Sequence, residues 1–138
     1  MNVAVVGASN KPDRYSFRAV RLLREKGHTP YPVHPSIAEV DGLPVWKSLS
    51  AIPEPIDTVS IYLSARNQQA IADELLDSRA RRFIFNPGAE NPELEERLRG
   101  RGKIVLEACT LMLLTTGQFA TAVDTRLRDP AAEGSSPA

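Results

Sequence analysis

The residues best suited to chemistry in this chain follow an apolar run near its beginning. Gly7, Ala8 and Ser9 come directly after the run 3–6, and further polar residues follow them. The side chains here that can donate to an anion are Ser9, Lys11, Arg14, Ser16 and Arg18. Hydroxyls, cations and the exposed backbone around a glycine are the groups that bind phosphate in proteins. This stretch therefore predicts a phosphate-binding loop, with a tight turn that binds nothing as the alternative.

A strand and a helix are expected on either side of this loop. The run 2–6 is unbroken and rich in valine, which predicts a buried strand. From Ser16 to Lys26 the apolar residues have helical spacing, with Ser16 as the N-cap and Gly27 after the last turn. We expect the glycine corner between them to leave its backbone amides free for a phosphate, beside the positive end of the helix dipole.

Strands and helices alternate along the rest of the chain. Further strands are predicted at 28–33, 58–63, 82–85 and 103–106, with helices after Ser64 and from Asn91 to Gly100. This pattern predicts an α/β fold, a doubly wound sheet of about five mostly parallel strands with helices on both faces. The length fits one domain, which we expect to span residues 1–125, followed by a mobile tail at 126–138.

Two local signals refine this architecture. Pro30 and Pro32 cannot donate ladder hydrogen bonds, which places the second strand toward an edge of the sheet. Asp41-Gly42 between short apolar pieces predicts a small hairpin. An order reversal beside the first strand would put its loop at a topological switch point, where ligands bind at the carboxyl ends of strands. The segments expected to gather at this edge are 7–9, 34–36, 64–66, 86–88 and 107–110.

The composition excludes several classes of partner. The chain has 138 residues, of which 17 are basic and 17 acidic, so its formal net charge is zero. A balanced charge argues against nucleic acid or an anionic membrane as the main partner. One cysteine and two separated histidines provide neither a disulfide nor a metal site. With no recognisable leader or membrane span, we expect a cytoplasmic protein.

A catalytic centre is not expected from these residues. Cys109 lacks a recognisable Cys-His-Asn set, and His34 has no orienting carboxylate near it in the sequence. The full G-x-G-x-x-G fingerprint is absent, and the second strand ends in His34 where NAD enzymes carry Asp or Glu. An NADP site, whose extra phosphate prefers basic or hydroxyl partners, remains open. Tyr62 is interpreted as a packing residue, and together with His34 it is the best donor that an oxidoreductase would have.

An ordered set of short motifs over residues 1–110 resembles the small CoA-binding proteins of bacteria and archaea. The motifs are Gly7-Ala8-Ser9, Pro32-Val33-His34-Pro35, Gly42-Leu43-Pro44-Val45-Trp46, Ile52-Pro53 with Asp57, and Asn86-Pro87-Gly88-Ala89. Those proteins are similar to the N-terminal CoA-binding domain of the succinyl-CoA synthetase α subunit. The resemblance implies a Rossmann-like domain that binds coenzyme A. The ATP-grasp subunit and the phosphohistidine segment of the synthetase have no counterpart in this sequence, so ligase activity is not expected.

The resemblance also implies three binding segments, for phosphate, for the adenosine end and for pantetheine. In that order they are Gly7, Ala8, Ser9, Asn10 and Lys11; Val33, His34 and Pro35; and Phe85, Asn86, Pro87 and Gly88. Two positions depart from the family pattern. His34 stands where members commonly carry Asn, and Ser36-Ile37 follows Pro35 where members carry a Lys.

The expected function is that of a stand-alone module that binds CoA or acyl-CoA and does not catalyse a reaction. The cofactor-binding residues that we expect are those of the three segments with Arg14, Ser16 and Ser64. An NADP-dependent oxidoreductase, or another nucleotide-binding enzyme, is the alternative. A protein-interaction domain with a vestigial cleft is a second alternative, and a protein partner or a homo-oligomer is compatible with each.

Overall fold

The computed structural model describes residues 1–123, which contain seven strands and five α-helices. The strands are β1 (Asn2–Val6), β2 (Thr29–Val33), β3 (Glu39–Val40), β4 (Leu43–Pro44), β5 (Thr58–Ile61), β6 (Arg82–Phe85) and β7 (Ile104–Glu107). The helices are α1 (Tyr15–Glu25), α2 (Ala65–Gln68), α3 (Ala72–Asp77), α4 (Pro92–Gly100) and α5 (Thr110–Thr115). Leu49–Ala51 and Gln69–Ile71 each form a single 3-10 turn.

Five strands form one parallel sheet in the order β2-β1-β5-β6-β7. The chain leaves β1 toward β2 on one side and later returns to pair β5 on the other side of β1. The order therefore reverses between β1 and β5, and their carboxyl ends flank a topological switch point. The predicted α/β, Rossmann-like doubly wound sheet is confirmed.

Helices cover both faces of this sheet, which explains why its strands are apolar without alternation. Val3 and Val5 of β1 face a core shared with α1 and α5. Ala4 and Val6 face the opposite core, which contains leucines of α3 and α4. Successive side chains of a strand point to opposite faces, so a strand buried on both sides needs apolar residues at every position.

The two local signals in the sequence are also confirmed. β2 is an edge strand, and on its outer side the Trp46 amide donates to the Pro32 carbonyl at 2.9 Å. β3 and β4 form the small antiparallel hairpin, with positive φ at both Asp41 (49°) and Gly42 (79°). Positive φ at both central residues is the geometry of a type I′ turn.

The start of α1 differs from the prediction. Its N-cap is Arg14, not Ser16, because the amide of Arg14 already donates to the Lys11 carbonyl at 3.0 Å and turns the chain into the helix. Ser16 lies inside the first turn and is buried. The predicted starts at Ser64 and Asn91 are confirmed, since each side-chain oxygen accepts the amide three residues on.

The last described residues pack onto the same body as the sheet. Phe119 and Ala122 are buried in the core on the α1 and α5 face. The predicted tail at 126–138 lies outside the described residues, and the domain boundary at residue 125 stays a prediction. No helix in residues 1–123 combines the length and apolar character needed to cross a bilayer.

Candidate functional site

A cavity of about 530 Å³ opens at the carboxyl end of β1, at the switch point of the sheet. Its lining residues are Gly7, Ser9, Asn10, Lys11, Asp13, Arg14, Tyr15, Ser16, Ile37 and Tyr62. Six of them are expected site residues, namely Gly7, Ser9, Asn10, Lys11, Arg14 and Ser16. The loop after β1 and the first turn of α1 thus form one wall, and the residues that follow β2 and β5 form the other.

The glycine corner is shaped by its neighbours. Gly7 has φ +85°, and a Cβ there would lie 3.1 Å from Leu63 Cδ2 and 3.2 Å from the Leu63 nitrogen. The amides of Gly7 and Ala8 both donate to the Val33 carbonyl, each at 3.2 Å. These two amides are therefore not free for a phosphate, contrary to the expectation from the sequence. The reason is tertiary: β2 ends beside β1 and places a carbonyl over the corner.

The available amides lie further along the loop. Within residues 1–123 the amides of Ser9 and Asn10 have no acceptor. The Ser9 hydroxyl oxygen accepts the Lys11 amide at 3.1 Å, which leaves the hydroxyl hydrogen to donate elsewhere. The first turn of α1 adds amides that no helical carbonyl can reach. The donors of the cavity are thus displaced from Gly7 toward Ser9, Asn10 and α1.

The charges at the start of α1 oppose its dipole. Arg14 caps the helix without a side-chain hydrogen bond, and its first turn contains no acidic residue. Lys11 and Arg14 line the cavity against one acid, Asp13. In contrast, α4 begins with an Asn91 cap and has acids in its first turn. Cations at a helix N-terminus are unfavourable by themselves, and a bound anion would neutralise both the cations and the dipole.

Tyr62 lines the cavity, although the sequence analysis interpreted it as a packing residue and named it as a donor only for the oxidoreductase alternative. It follows β5 directly, and its amide donates to the Val6 carbonyl at 2.9 Å. Its hydroxyl is shielded from solvent and has no hydrogen-bond partner in the described part of the chain. Burial raises the pKa of the Tyr62 phenol, against a smaller lowering by the Ser60 and Thr110 hydroxyls nearby. The sequence signal that identifies Tyr62 is its position directly after β5, one of the two strands that flank the switch point.

Three further lining residues were also missed. Asp13 and Tyr15 lie between expected residues in the same loop, so their position alone indicated them. Ile37 comes four residues after the end of β2, just beyond the expected adenosine segment of Val33, His34 and Pro35. Its side chain also packs against the core on the α1 face, which fixes that wall of the cavity.

Val33, His34 and Pro35, the expected adenosine segment, stand beside the cavity but do not line it. Val33 is buried, and its carbonyl holds the glycine corner. Pro35 is exposed. His34 is half-buried, and its Nδ1 accepts the amides of Ser36 at 3.0 Å and Ile37 at 3.2 Å.

The residues after β5 and β6 lie outside this cavity. Ser64 is exposed and caps α2. Phe85 is fully buried in the core, so its side chain is unavailable to a ligand. Pro87 and Gly88 are exposed in a turn in which the Gly88 amide donates to Glu90 at 2.9 Å.

Asn86 is committed to the protein itself. Its Nδ2 donates to the Ser60 hydroxyl at 3.0 Å and to the Ile61 carbonyl at 2.9 Å, and its Oδ1 accepts the Thr110 amide at 2.8 Å. This buried side chain joins β5, β6 and the start of α5. The arrangement assigns Asn86 a structural role at the edge where pantetheine was expected.

A larger cavity of about 770 Å³ lies at the amino ends of the strands, opposite the 530 Å³ cavity. It is lined by residues that precede β5 and β6, among them Ile52, Pro55, Asp77 and Arg79. Ligands of doubly wound sheets bind at the carboxyl ends of strands, so its position argues against the principal site despite its size.

Comparison with known proteins identifies the family. A model of the CoA binding domain matches residues 1–115. The uncharacterized protein YneT of Bacillus subtilis (strain 168) is 32% identical over 108 residues, which are 78% of this chain and 80% of YneT. A crystal structure of an uncharacterized protein superposes with a TM-score of 0.80 at 36% identity, and the match covers 86% of this chain and 97% of that one.

A larger enzyme subunit contains a related segment. The alpha subunit of ADP-forming acetate–CoA ligase II from Pyrococcus furiosus is 37% identical over 62 residues, which are 44% of this chain and 14% of that subunit. The chain thus corresponds to a small part of that protein. With the family model matching residues 1–115, the chain belongs to the CoA binding domain family.

Proposed function

We propose that this protein binds coenzyme A or an acyl-CoA as a stand-alone module and catalyses no reaction itself. The observation that carries the proposal is the start of α1, where Lys11 and Arg14 face a cavity at the switch point without an acid in the first helical turn. Membership of the CoA binding domain family indicates which anionic ligand such a site takes.

The residues present fit the phosphates of CoA. A diphosphate offers oxygens that accept hydrogen bonds from the amides of Ser9 and Asn10, and its charge offsets Lys11 and Arg14. Ser16 lies in the first turn of α1 and lines the same wall. Gly7 contributes shape instead of donors, because its missing side chain allows the loop to pass close to Leu63.

The absence of catalysis is inferred from how the candidate groups are used. His28 directly precedes β2, at the amino end of that strand, and its Nδ1 is 3.2 Å from the amino group of Met1. His34 holds two backbone amides through Nδ1, and Cys109 is the N-cap of α5. None of these three side chains lines the 530 Å³ cavity.

Calorimetric titration of the purified protein with CoA tests the proposal, with acetyl-CoA and NADP as comparison ligands. We expect CoA and acetyl-CoA to bind and NADP to bind more weakly. Binding of NADP but not of CoA would favour the oxidoreductase alternative. If none of the three nucleotides gives a heat of binding, an interaction domain with a vestigial cleft is favoured.

A charge reversal separates loss of binding from loss of folding. Arg14→Glu should weaken CoA binding by about tenfold or more, because it replaces a cation at the phosphate site with an anion. The same change should preserve or raise the melting temperature, since an acid suits a helix N-terminus. Arg79→Glu, an exposed change at the opposite edge, is the matched control and should leave the affinity unchanged. Equal affinities for all three proteins would contradict the proposed phosphate site.

The other expectations about location and partners stay predictions. These are the cytoplasmic location, the lack of a nucleic-acid partner, and a protein partner or homo-oligomer.

A further inference from the structure

The turn that follows β2 is closed by a side chain instead of by its own backbone. Pro35 has no amide hydrogen, and the Val33 carbonyl already accepts from Gly7 and Ala8. The amides of Ser36 and Ile37 both donate to His34 Nδ1, at 3.0 and 3.2 Å. A side-chain acceptor that receives amides two and three residues ahead reproduces the geometry of an Asx-turn.

The segment on each side of this turn is held by backbone hydrogen bonds. The His34 amide donates to the Trp46 carbonyl at 2.9 Å, and the Val45 amide donates to the Ala38 carbonyl at 3.2 Å. Between these two anchors, the amides of Ser36 and Ile37 have the imidazole as their acceptor. One nitrogen atom therefore holds the backbone of this short stretch, while the Ile37 side chain packs against the core.

The stretch matters because Ile37 forms a wall of the cavity. Ile37 faces the loop after β1 across the 530 Å³ space and packs against the core below. We propose that His34 is a positioning residue, whose Nδ1 fixes the 34–37 turn and so sets Ile37 against the ligand. The inference rests on the proposed function and extends it, since it assigns His34 an indirect role through Ile37 in place of direct contact with adenosine.

The chemistry of the ring supports this assignment. Accepting two amide hydrogens requires Nδ1 to carry no proton, which places the ring hydrogen of neutral His34 on Nε2. Asparagine has a carbonyl oxygen at the corresponding distance from the backbone and nothing at the position of Nε2. The pair of substitutions to Asn and Ala therefore separates the acceptor from the rest of the ring.

The first test is CoA binding by calorimetry to wild type, His34→Asn and His34→Ala. We expect the Asn variant to bind within a few-fold of wild type, and the Ala variant to lose about tenfold, because its turn has lost both hydrogen bonds. Equal loss in both variants would show that the imidazole contacts the ligand and would overturn the inference. Wild-type affinity in the Ala variant would overturn it as well.

Hydrogen exchange gives a second measurement that does not depend on CoA. The amides of Ser36 and Ile37 should be protected in wild type and in His34→Asn, and exchange faster in His34→Ala. Equal exchange rates in all three proteins would overturn the positioning role. If wild type binds no CoA, the proposed function fails, and the exchange rates still decide whether Nδ1 holds the turn.

Discussion

At the scale of single residues, the hydroxyl of Tyr62 is the buried side-chain group that lacks a hydrogen-bond partner within residues 1–123. An unpaired buried polar group costs free energy, and replacing it with an apolar group of the same shape recovers that cost. We therefore expect Tyr62→Phe to raise the free energy of unfolding by about 1 kcal/mol, measured by urea denaturation. Tyr15→Phe, at a side chain that is 57% exposed, is the control and should change stability little. A less stable Tyr62→Phe would mean that Ser60 or Thr110 satisfies the hydroxyl.

The same scale shows how far the sequence identified the candidate site. Gly7 was recognisable because it follows a buried strand directly, and Lys11 and Arg14 because they precede an amphipathic helix. The role of the Gly7 amide was not recognisable, because its acceptor on Val33 is distant in sequence and reaches it only through strand pairing. Asn86 was misleading for a similar reason, since its three partners lie on other elements.

At the scale of elements, Arg82 fixes the last described segment to β5 and β6. This arginine is fully buried at the start of β6, where burial lowers its pKa to about 10. Its Nε donates to the Thr58 hydroxyl at 3.0 Å, and its Nη1 donates to the carbonyls of Phe119 and Ala122. The guanidinium also lies over the Phe119 ring at 4.6 Å. One side chain therefore supplies the donors for two carbonyls of a segment that lies outside the helices and strands.

We expect Arg82→Met to lower the free energy of unfolding by about 3 kcal/mol, because it leaves buried carbonyls without donors. Arg81→Met is a matched control one residue away. Arg81 is exposed and pairs with Asp57 at 2.8 Å, and a surface pair of that kind contributes less than about 1 kcal/mol. Chemical denaturation monitored by circular dichroism compares the two variants. Similar losses would contradict the assigned role of Arg82.

Elements were more predictable than their ends. Strands buried on both faces and amphipathic helices leave periodic patterns, so the parallel sheet and the helices on both faces followed from the sequence. The start of α1 did not, since an arginine N-cap without a side-chain hydrogen bond breaks the usual preference for Ser, Thr, Asp or Asn. That exception coincides with the candidate phosphate site, where local rules are expected to fail.

At the scale of the whole molecule, Asp41 and His28 are two groups whose shifted pKa values make the fold less stable in acid. The hydrogen bond from Arg21 lowers the pKa of Asp41, and burial lowers the pKa of His28. In both cases the unfolded chain takes up protons at a higher pH than the folded protein does. The free energy of unfolding therefore rises with pH through the range in which these groups titrate.

Glu95 contributes with the opposite sign. Burial of the Glu95 side chain, together with the Glu107 carboxyl beside it, raises the pKa of Glu95 from 4.5 to about 7. The Asn91 amide, which donates to Glu95 Oε2 at 2.8 Å, acts in the opposite direction and lowers this pKa. Between pH 4.5 and about 7 the folded protein thus keeps a proton that the unfolded chain has lost. In that window Glu95 makes the free energy of unfolding fall as pH rises, and the loss is complete above the folded pKa.

Glu95→Gln isolates this contribution, because the amide stays neutral at every pH and still offers an oxygen to Asn91. We expect the stability of the variant relative to wild type to increase from pH 5 to pH 8, measured by urea denaturation across that range. Glu93→Gln, at an exposed position on the same helix, controls for a general change in charge and should show a smaller dependence on pH. A constant difference between wild type and Glu95→Gln would mean that Glu95 ionises in the folded protein as it does in the unfolded chain. The arginine Arg99, whose Nη2 lies 3.9 Å from Glu95 Oε1, would then have compensated for its burial.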